Sequence, residues 1–318
     1  MSRADITVII VNWRVRALLE KCLNSIIANS DGFNVRIIVV DNDSRDGTSE
    51  MLMMEYPQVR VIALPSNIGF AAGNNLAIKQ AEADYVFFLN PDTEILPGFF
   101  ANIMEYMQEH PEVGIVGPKI LNLDKSLQLS VRRSPDLVSQ TLTLLKLQNI
   151  LGTNKPLEHY VAKIFIPLIL KFRKFFSGGK ILPYYLAGDF DYDKEQSVEQ
   201  IMGAAMVIRS DVLDKIGVFD EKFFIWFEEV DLCLRARQAG VVIKYFPGAA
   251  ILHQGGCSFS KRNVIRKQVI FNKSLLYYFW KHKPKWQWLI ILLLLPINLI
   301  LTLVYVTIFK NKQKQHLF

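Results

Sequence analysis

The stretch VRIIVVDNDSRDGT, from Val35 to Thr48, decides the fold class. Its apolar first half predicts a strand buried on both faces of a sheet, and the polar residues that follow favour a turn. The same succession of apolar run and polar turn occurs three more times in the first third of the chain. The other runs predicted as strands are Ile6–Val11, Val59–Leu64 and Tyr85–Leu89.

Stretches with helical periodicity separate these strands. The first runs from Leu18 to Ile27, and the others cover roughly 46–55, 70–82 and 97–109. Strands that alternate with helices predict an α/β fold: an open parallel sheet with helices on both faces. Ligands of such sheets bind at the carboxyl ends of the strands. The four predicted strands end in polar residues, namely Asn12, DNDSRDGT (Asp41–Thr48), PSNIGFAAGNN (Pro65–Asn75) and NPD (Asn90–Asp92). Turn chemistry alone explains any one of them, whereas four at one edge favour a nucleotide-binding crevice.

Charge is distributed unevenly along the 318 residues, which carry a net charge of +7. All acidic residues lie at or before Asp231, and the rest of the chain is basic and rich in aromatic residues. The cysteines Cys22, Cys233 and Cys257 form no motif with short spacing, so neither a disulfide framework nor a zinc site is expected. The N-terminus reads as a strand, and no signal peptide is predicted.

A basic, aromatic-rich end is typical of proteins that bind nucleic acid or an anionic membrane surface. The apolar run Trp288–Phe309 is long enough to cross a bilayer, and it favours the membrane over nucleic acid. Pro296 and Asn298 keep a re-entrant hairpin open beside a single span. Eight basic residues lie between Lys261 and Lys285 and three follow the run, which predicts a cytoplasmic location for the preceding domain.

The chain is therefore expected to divide into four parts. Residues 1–260 form the α/β domain, in which 121–200 is a variable region that faces a binding partner or the membrane. Residues 261–287 form a basic juxtamembrane segment, 288–309 a membrane helix and 310–318 a basic tail. Within the variable region, the apolar and basic stretch Tyr160–Phe176 is either a core helix broken at Pro167 or a segment in the membrane interface.

The stretch WFEEVDLCLRARQAG, Trp226 to Gly240, places Glu228, Glu229 and Asp231 beside large apolar side chains. These acids are either the solvated start of a helix or include a general base whose pKa is set by its neighbours. Glu228 and Asp231 share a helix face, and Asp231 is spaced to pair with Arg235. Trp226 is expected either to stack on a sugar or to pack in the core.

Several long motifs occur together and in order, and they resemble the family 2 glycosyltransferases, most closely the rhamnosyltransferase-like branch. They are VIIVNW, VVDNDSRDGT, SNIGFAAGNN, FLNPDTEI, VGPKILNLD, the stretch from IMGAAMVIRS to LRARQAG, and FPGAAILHQGG. The resemblance covers roughly residues 5–135 and 198–260. It implies the nucleotide-sugar-binding sheet called GT-A, followed here by a membrane-anchoring helix, and a reaction that inverts the anomeric centre.

The resemblance also implies roles for individual residues. Asp41 matches an acid that contacts the base of the donor, and Asn12, Asn67 and Asn75 lie at the same edge. Asn90 and Asp92 occupy the positions of a metal site for Mg²⁺ or Mn²⁺, which His253 completes. Glu229 matches the general base. Beside this match, Glu228 and Asp231 are expected to support the base, and Trp226 is expected to form the acceptor platform unless it packs in the core. The family often has Asp at the position of Glu229, so the reach of this base is longer here.

The implied activity is transfer of a sugar from a nucleotide-diphosphate donor, with dTDP-rhamnose the first expectation, to a lipid-linked or cell-surface saccharide. The implied place is the cytoplasmic face of the inner membrane. A nucleotidyltransferase is the first rival, but it needs a triphosphate-binding loop that is not seen near residues 12–20. The second rival is a membrane scaffold that has lost catalysis, against which the acids Asp92 and Glu229 and the side chain of His253 argue.

Overall fold

The computed structural model describes residues 4–146, 190–255 and 263–315, with side chains to Thr307 in the last segment. The stretch Tyr160–Phe176, Cys257 and the side chains of the basic tail lie outside the described residues. The described chain falls into two compact units. The first comprises residues 4–134 and 190–255, and the second comprises residues 135–146 and 263–315.

The first unit is built on a nine-stranded mixed sheet and a two-stranded ribbon. The strands are β1 (Ala4–Asn12), β2 (Val35–Asp41), β3 (Arg60–Ala63), β4 (Ala83–Leu89), β5 (Thr93–Ile95), β6 (Val113–Leu121), β7 (Val131–Arg132), β8 (Gln196–Ser197), β9 (Gln200–Ile201), β10 (Ala205–Arg209) and β11 (Val242–His253). The sheet has the order β3-β2-β1-β4-β10-β6-β11-β5, with β8 paired to β11, and β7 pairs with β9 in the ribbon.

The four strands predicted from the sequence are present and are mutually parallel in the order β3-β2-β1-β4. Beyond these four strands the sheet is mixed, because β10 runs antiparallel between β4 and β6 and β5 runs antiparallel to β11. These strands pair with strands that are distant in the sequence, and hydrophobic periodicity does not specify such pairing.

Helices cover both faces of this sheet, as predicted. They are α1 (Arg16–Asn29), α2 (Thr48–Glu55), α3 (Phe70–Ile78), α4 (Phe99–Glu109), α6 (Ser210–Ile216) and α7 (Glu228–Gln238). The helix between α4 and α6, α5 (Leu137–Leu144), belongs to the second unit. Side chains of a strand alternate between faces, and Ile6, Val8 and Ile10 join the buried core with α1, α2 and α4. Val11 points to the other face, where a Cβ on Gly73 of α3 would lie 3.0 Å from its Cγ1.

The strand register gathers polar residues at one edge of the sheet. Asn12 pairs with Asp41 at the ends of β1 and β2. The first residue of β10, Ala205, pairs with Leu89 at the end of β4, so the loop before β10 reaches the same edge. His253, at the end of β11, pairs with Thr93 of β5.

The second unit consists of α5 (Leu137–Leu144), α8 (Val264–His282) and α9 (Lys285–Gln315). The side chain of Asp136 accepts hydrogen bonds from the first turn of α5 and completes a capping box with Ser139. The stretch Lys285–Thr307 of α9 is long and apolar enough to cross a membrane. Helix α9 continues through Pro296 without a reversal, so the hairpin left open by the sequence is absent from the described residues.

The loop before α3 depends on a glycine. Gly69 has a φ of +97°, and a Cβ there would lie 2.5 Å from the carbonyl oxygen of Phe224. The backbone N–H of Phe70 donates to that same carbonyl at 2.7 Å. The close approach ties the start of α3 to the segment that precedes α7, and only glycine permits it.

We therefore expect Gly69→Ala to lower the free energy of unfolding by about 1–3 kcal/mol, because it combines backbone strain with a clash. Gly32→Ala is the matched control, since Gly32 also has a positive φ of +84° but faces open space. Thermal unfolding of both variants measures the difference. Equal losses of stability would mean that the approach of Phe224 is not the constraint.

Candidate active site

Asn12 and Asp41 organise the loop that follows β2 from within. Asn12 is fully buried, and its Nδ2 donates to Ser44 Oγ at 3.0 Å and to Thr48 Oγ1 at 3.2 Å. The carboxylate of Asp41 accepts from the backbone N–H of Ser44 at 3.1 Å and from Ser49 Oγ at 2.5 Å. Both predicted donor-binding residues therefore shape the loop in this structure.

Asn42, which the sequence analysis did not single out, joins this loop to the next one. Its Nδ2 donates to the carbonyl of Gly69 and its Oδ1 accepts from the N–H of Ile68, both at 2.9 Å. Asn67 forms a local turn, because its Oδ1 accepts from the N–H of Gly69 at 3.1 Å. The paired donor and acceptor of Asn42 are a two-point link that depends on its amide side chain.

Asn75 is buried and directed at a distant segment. Its Nδ2 donates to the carbonyl of Phe219 at 2.8 Å and to Glu221 Oε1 at 3.0 Å, and its Oδ1 accepts from the N–H of Phe219 at 3.1 Å. The side chain thus holds the segment before α7 against α3. Of the predicted donor-binding residues after β3, Asn67 is at the partly exposed edge and Asn75 is not.

The structure brings Asn90, Asp92 and His253 together at one corner. His253 Nε2 lies 3.4 Å from Asp92 Oδ1 and 3.5 Å from Asn90 Nδ2. The side chains of Asp92 and His253 are only 6% and 7% exposed, so the corner is largely withdrawn from the surface. Residues separated by more than 160 positions therefore face each other through one nitrogen of the imidazole.

Gln128 fixes the orientation of this imidazole. Its Oε1 lies 2.7 Å from His253 Nδ1, and its Nε2 donates to Asn122 Oδ1 at 3.0 Å. Because an amide oxygen only accepts, the Nδ1 atom must carry the proton, and a neutral ring then presents the lone pair of Nε2 to Asp92. Two electron-rich atoms that face each other suit a cation between them, and a histidine anchored at its far nitrogen is typical of a metal ligand.

The donor set at this corner fits a divalent cation that is completed by a ligand. Among the residues that the structure describes, no group of three or more His, Cys, Asp or Glu side chains is placed to hold a metal. Mg²⁺ and its analogues often use one or two protein carboxylates together with substrate phosphates. Asp92 and His253, with the amide of Asn90, therefore supply part of a site.

The N-terminus of α7 is strained. Trp226 and Phe227 both have positive φ angles, of 66° and 71°, which bulky side chains seldom adopt. Phe227 is the N-cap residue and its ring is buried, whereas Trp226 is partly exposed. Strain of this kind is often found at functional sites, where the surrounding structure holds it in place.

Glu228 and Glu229 follow this turn; Glu228 is buried and Glu229 is half-buried. Glu228 is 3% exposed, so it is not part of a solvated helix start. In each residue Oε2 is buried and has no hydrogen-bond partner among the described residues. Burial raises the pKa of Glu228 well above its usual range, and the charge of Glu229 raises it further.

The pKa of Glu229 is also raised by burial, but several groups oppose the rise. Its own backbone N–H, the Arg132 guanidinium and the N–H of Val230 all favour the ionised form. The two acids thus differ, and we assign the proton of the pair to Glu228 and the negative charge to Glu229. Arg132 was not identified by the sequence analysis because it lies nearly a hundred residues away on β7.

A short loop before β10 lies between Glu229 and the corner that contains Asp92. A Cβ on Gly203 would lie 3.4 Å from Glu229 Cβ, so the backbone there packs against this side chain. The next residue, Ala204, accepts a hydrogen bond from the N–H of Asn90 at 2.9 Å. Gly203 and Ala204 therefore lie between Glu229 and the Asn90–Asp92 turn.

Asp231 forms the ion pair with Arg235 that its spacing predicts. Arg235 Nε lies 2.8 Å from Asp231 Oδ2, and Asp231 is completely buried. The guanidinium also donates to the backbone carbonyls of Ile216, Gly217 and Val218. The ion pair of Asp231 and Arg235 therefore links α7 to the end of α6, and the supporting role of Asp231 stays a prediction.

Comparison with known proteins agrees with this architecture. The family described as glycosyl transferase family 2 matches residues 7–166. N-acetylglucosaminyl-diphospho-decaprenol L-rhamnosyltransferase of Mycobacterium tuberculosis is 26% identical over 230 residues, which are 69% of this chain and 66% of the relative. The hexosyltransferase Agl10 of low-salt glycan biosynthesis in Haloferax volcanii is 25% identical over 246 residues, 75% of this chain and 64% of the relative. The chain thus spans slightly less than two thirds of the length of these curated relatives.

Two solved structures share the fold. GalNAc-T7 with UDP, GalNAc and Mn²⁺ has a TM-score of 0.53 at 13% identity, over 79% of this chain and 44% of its own. Residues 1–349 of S. aureus TarS have a TM-score of 0.51 at 15% identity, over 86% of this chain and 72% of their own. Such low identities support the architecture alone. Because the family match covers half of the chain, this protein belongs to glycosyl transferase family 2.

Proposed function

We propose that this protein is a membrane-associated inverting glycosyltransferase that uses a nucleotide-diphosphate sugar. One observation carries the proposal: Glu229, a half-buried glutamate whose Oε2 is buried and has no hydrogen-bond partner among the described residues, lies one short loop from the Asn90–Asp92 turn. An inverting transfer needs a base for the acceptor hydroxyl and a site for the departing diphosphate. Glu229 meets the first requirement, and the Asn90–Asp92 turn meets the second.

The donor is held at the carboxyl edge of the sheet. The loop that Asp41 shapes receives the base, and the corner formed by Asn90, Asp92 and His253 receives the diphosphate. Mg²⁺ or Mn²⁺ held by Asp92 and His253 would neutralise the charge that develops on the leaving diphosphate. Two observations support a divalent metal here: the donor atoms at this corner, and the Mn²⁺ in the structure of GalNAc-T7, which shares the fold.

Glu229 acts on the acceptor. Its carboxylate takes the proton of the acceptor hydroxyl as the oxygen attacks C1 of the sugar and the bond from C1 to the diphosphate oxygen breaks. Attack opposite the leaving group inverts the anomeric centre. Burial makes Glu229 a stronger base than an exposed carboxylate, and Arg132 keeps it ionised. Trp226, partly exposed beside the two acids, is placed to stack on the acceptor sugar.

The relatives support a first choice of sugar and acceptor. The mycobacterial relative is an N-acetylglucosaminyl-diphospho-decaprenol L-rhamnosyltransferase. We therefore take dTDP-rhamnose as the first donor to test and a polyprenyl-diphosphate saccharide as the acceptor class. Location at the cytoplasmic face of the inner membrane fits a soluble donor, a lipid acceptor and the apolar helix α9.

A panel of nucleotide sugars tests this proposal directly. Each donor is incubated with the full chain and with Mg²⁺ or Mn²⁺, and release of nucleoside diphosphate is measured with and without lipid-linked acceptor. A glycosyltransferase releases nucleoside diphosphate and transfers the sugar. Release of pyrophosphate from a nucleoside triphosphate would instead identify a nucleotidyltransferase, and inactivity with intact donor binding would indicate a scaffold.

We expect Asp92→Ala to lower the transfer rate by about 10²–10³-fold, because the carboxylate that would hold the metal beside the diphosphate is lost. Asp124→Ala is the control, since Asp124 is an exposed carboxylate that accepts from Ser126 in a turn. Transfer is measured over a range of metal concentrations. If Asp92→Ala keeps most of its activity in excess metal, the assignment of the corner is wrong.

We expect Glu229→Gln to retain nucleotide binding and to lose about 10²–10⁴-fold in transfer rate, since the amide accepts no proton. Glu228→Gln is the neighbouring control and should stay within about tenfold, because an amide replaces a carboxyl that already carries its proton. Calorimetry measures binding and a turnover assay measures transfer. Equal losses in both variants would mean that the roles of the two acids are not separate.

The pH dependence tests the environment of the base. Because the base must be ionised, activity falls as the pH drops through its pKa, and burial places this acid limb above the usual range of a glutamate. Arg132→Gln removes a charge that lowers the pKa of Glu229, so the limb should move to higher pH. Arg133→Gln is the control, because that guanidinium acts on Glu199. The proposal fails on this point if both variants give the same profile of kcat/KM against pH.

A further inference from the structure

Helix α9 of the second unit presents a continuous apolar stripe. The stripe consists of Leu289, Leu293, Ile297, Ile300 and Val304, which are 49%, 65%, 45%, 59% and 48% exposed. Spacings of three and four residues place these side chains on one side of the helix. An exposed apolar surface of this length marks an interaction site in a folded protein.

The opposite side of α9 is packed and polar near its middle. Asn298 is completely buried, its Nδ2 donates to the carbonyl of Leu144 in α5, and its Oδ1 accepts from Asn272 of α8 at 3.0 Å. Thr302, which is 2% exposed, donates to the carbonyl of Asn298 at 2.8 Å. The packed side of α9 therefore carries hydrogen-bonded amide and hydroxyl groups near its middle, whereas the stripe carries none.

The buried amides belong to a chain of hydrogen bonds that ends in a charge. Gln268 Nε2 donates to Asn272 Oδ1 at 3.0 Å, and Lys146 Nζ donates to Gln268 Oε1 at 2.6 Å. Lys273, next to Asn272, is exposed on the surface of α8. One ammonium group, that of Lys273, thus lies on α8, and another, that of Lys146, lies just after the end of α5 and contacts α8.

This arrangement conflicts with a perpendicular crossing of the membrane. Asn298 lies 13 residues beyond Lys285, or about 20 Å along the helix, which is near the middle of the hydrocarbon core if α9 crosses it. Helix α8 would then carry the exposed Lys273 to the same depth, which is among the least favourable places for an ammonium group. Among the described helices, only α9 is apolar enough to cross.

We propose that α9 lies in the plane of one leaflet and that the second unit is a monotopic, lipid-binding module. The stripe enters the acyl region of a single leaflet, the polar side with α5 and α8 faces the headgroups, and both ends of α9 stay on the same side. This arrangement differs from both a single span and a reversal at Pro296. It is independent of the glycosyl transfer proposed above.

Charge indicates an anionic leaflet. The described part of the second unit contains one acidic residue, the N-cap Asp136, beside basic residues on α8 and at its junction with α9. At that junction Trp280 and Trp286 are each 48% exposed, and Lys285 Nζ lies 4.6 Å from the ring centroid of Trp280. Exposed indole rings beside lysines are typical of the headgroup level of a membrane, and the lysines select anionic lipids.

Depth measurements with nitroxide labels test the orientation of α9. Labels are attached to Leu289→Cys, Ile297→Cys and Val304→Cys in the full chain, which is reconstituted in phosphatidylglycerol and phosphatidylethanolamine vesicles. The background variant Cys257→Ser leaves two native thiols, both buried and with pKa values raised to about 12, so they do not compete for the label.

The labels at 289 and 304 are separated by 15 residues, about 22 Å along the helix. An in-plane helix places all three labels at similar shallow depths, as judged by their accessibility to oxygen and to a water-soluble collider. A label at 297 near the bilayer centre, with those at 289 and 304 near opposite surfaces, would overturn the proposal. So would labels that neither collider reaches, because a second copy of the chain would then cover the stripe.

Vesicle binding tests the stripe itself. Leu293→Gln combined with Ile300→Gln should weaken partitioning into anionic vesicles by about tenfold or more, because two large apolar side chains leave the acyl region. Met53→Gln combined with Met54→Gln is the control, since these methionines are 65% and 82% exposed on α2. Equal partitioning of the two double variants, or equal binding of the native chain to phosphatidylcholine vesicles, would contradict the proposal.

Discussion

The hydrogen bond from the N–H of Asn90 to the carbonyl of Ala204 is the contact on which the candidate site depends. It exists because β10 runs antiparallel between β4 and β6, so that the start of β10 lies beside the end of β4. Gly203 then packs against Glu229, and the Asn90–Asp92 turn lies on the other side of the loop. One antiparallel strand thus brings two carboxylates, more than a hundred residues apart in the chain, to the same edge of the sheet.

The cost of burying acids explains the construction of the α7 N-terminus. A carboxylate without water is stable only if other groups favour its charge, or if it keeps its proton. The backbone N–H groups of the first helical turn and Arg132 favour the ionised form of Glu229. Burial and the charge of Glu229 instead raise the pKa of Glu228. The strained turn at Trp226 and Phe227 directs the chain so that both acids enter the interior. A helix start with ordinary backbone angles would leave them in solvent, where their pKa values would be alike.

The sequence contained most of the local information and little of the long-range information. Runs of apolar residues were enough for the four parallel strands, and spacing alone predicted the pair of Asp231 and Arg235. The antiparallel entry of β10 was not predictable, because periodicity does not specify which strand a segment pairs with. For the same reason the partners Gln128 and Arg132 were missed. Each is an ordinary polar residue until the fold places it beside His253 or Glu229.

Hydropathy has the same limitation in the second unit. A window average over α9 records how apolar the helix is, but it does not record that Asn298 and Thr302 share one side of it. That side becomes significant only when α8 and α5 are seen to satisfy its hydrogen bonds. The polar groups on this side of α9 are satisfied by α5 and α8, so this side is packed against protein although the mean hydropathy of the helix is high. The choice between crossing a bilayer and lying on it therefore depends on tertiary packing, just as the choice between Glu228 and Glu229 does.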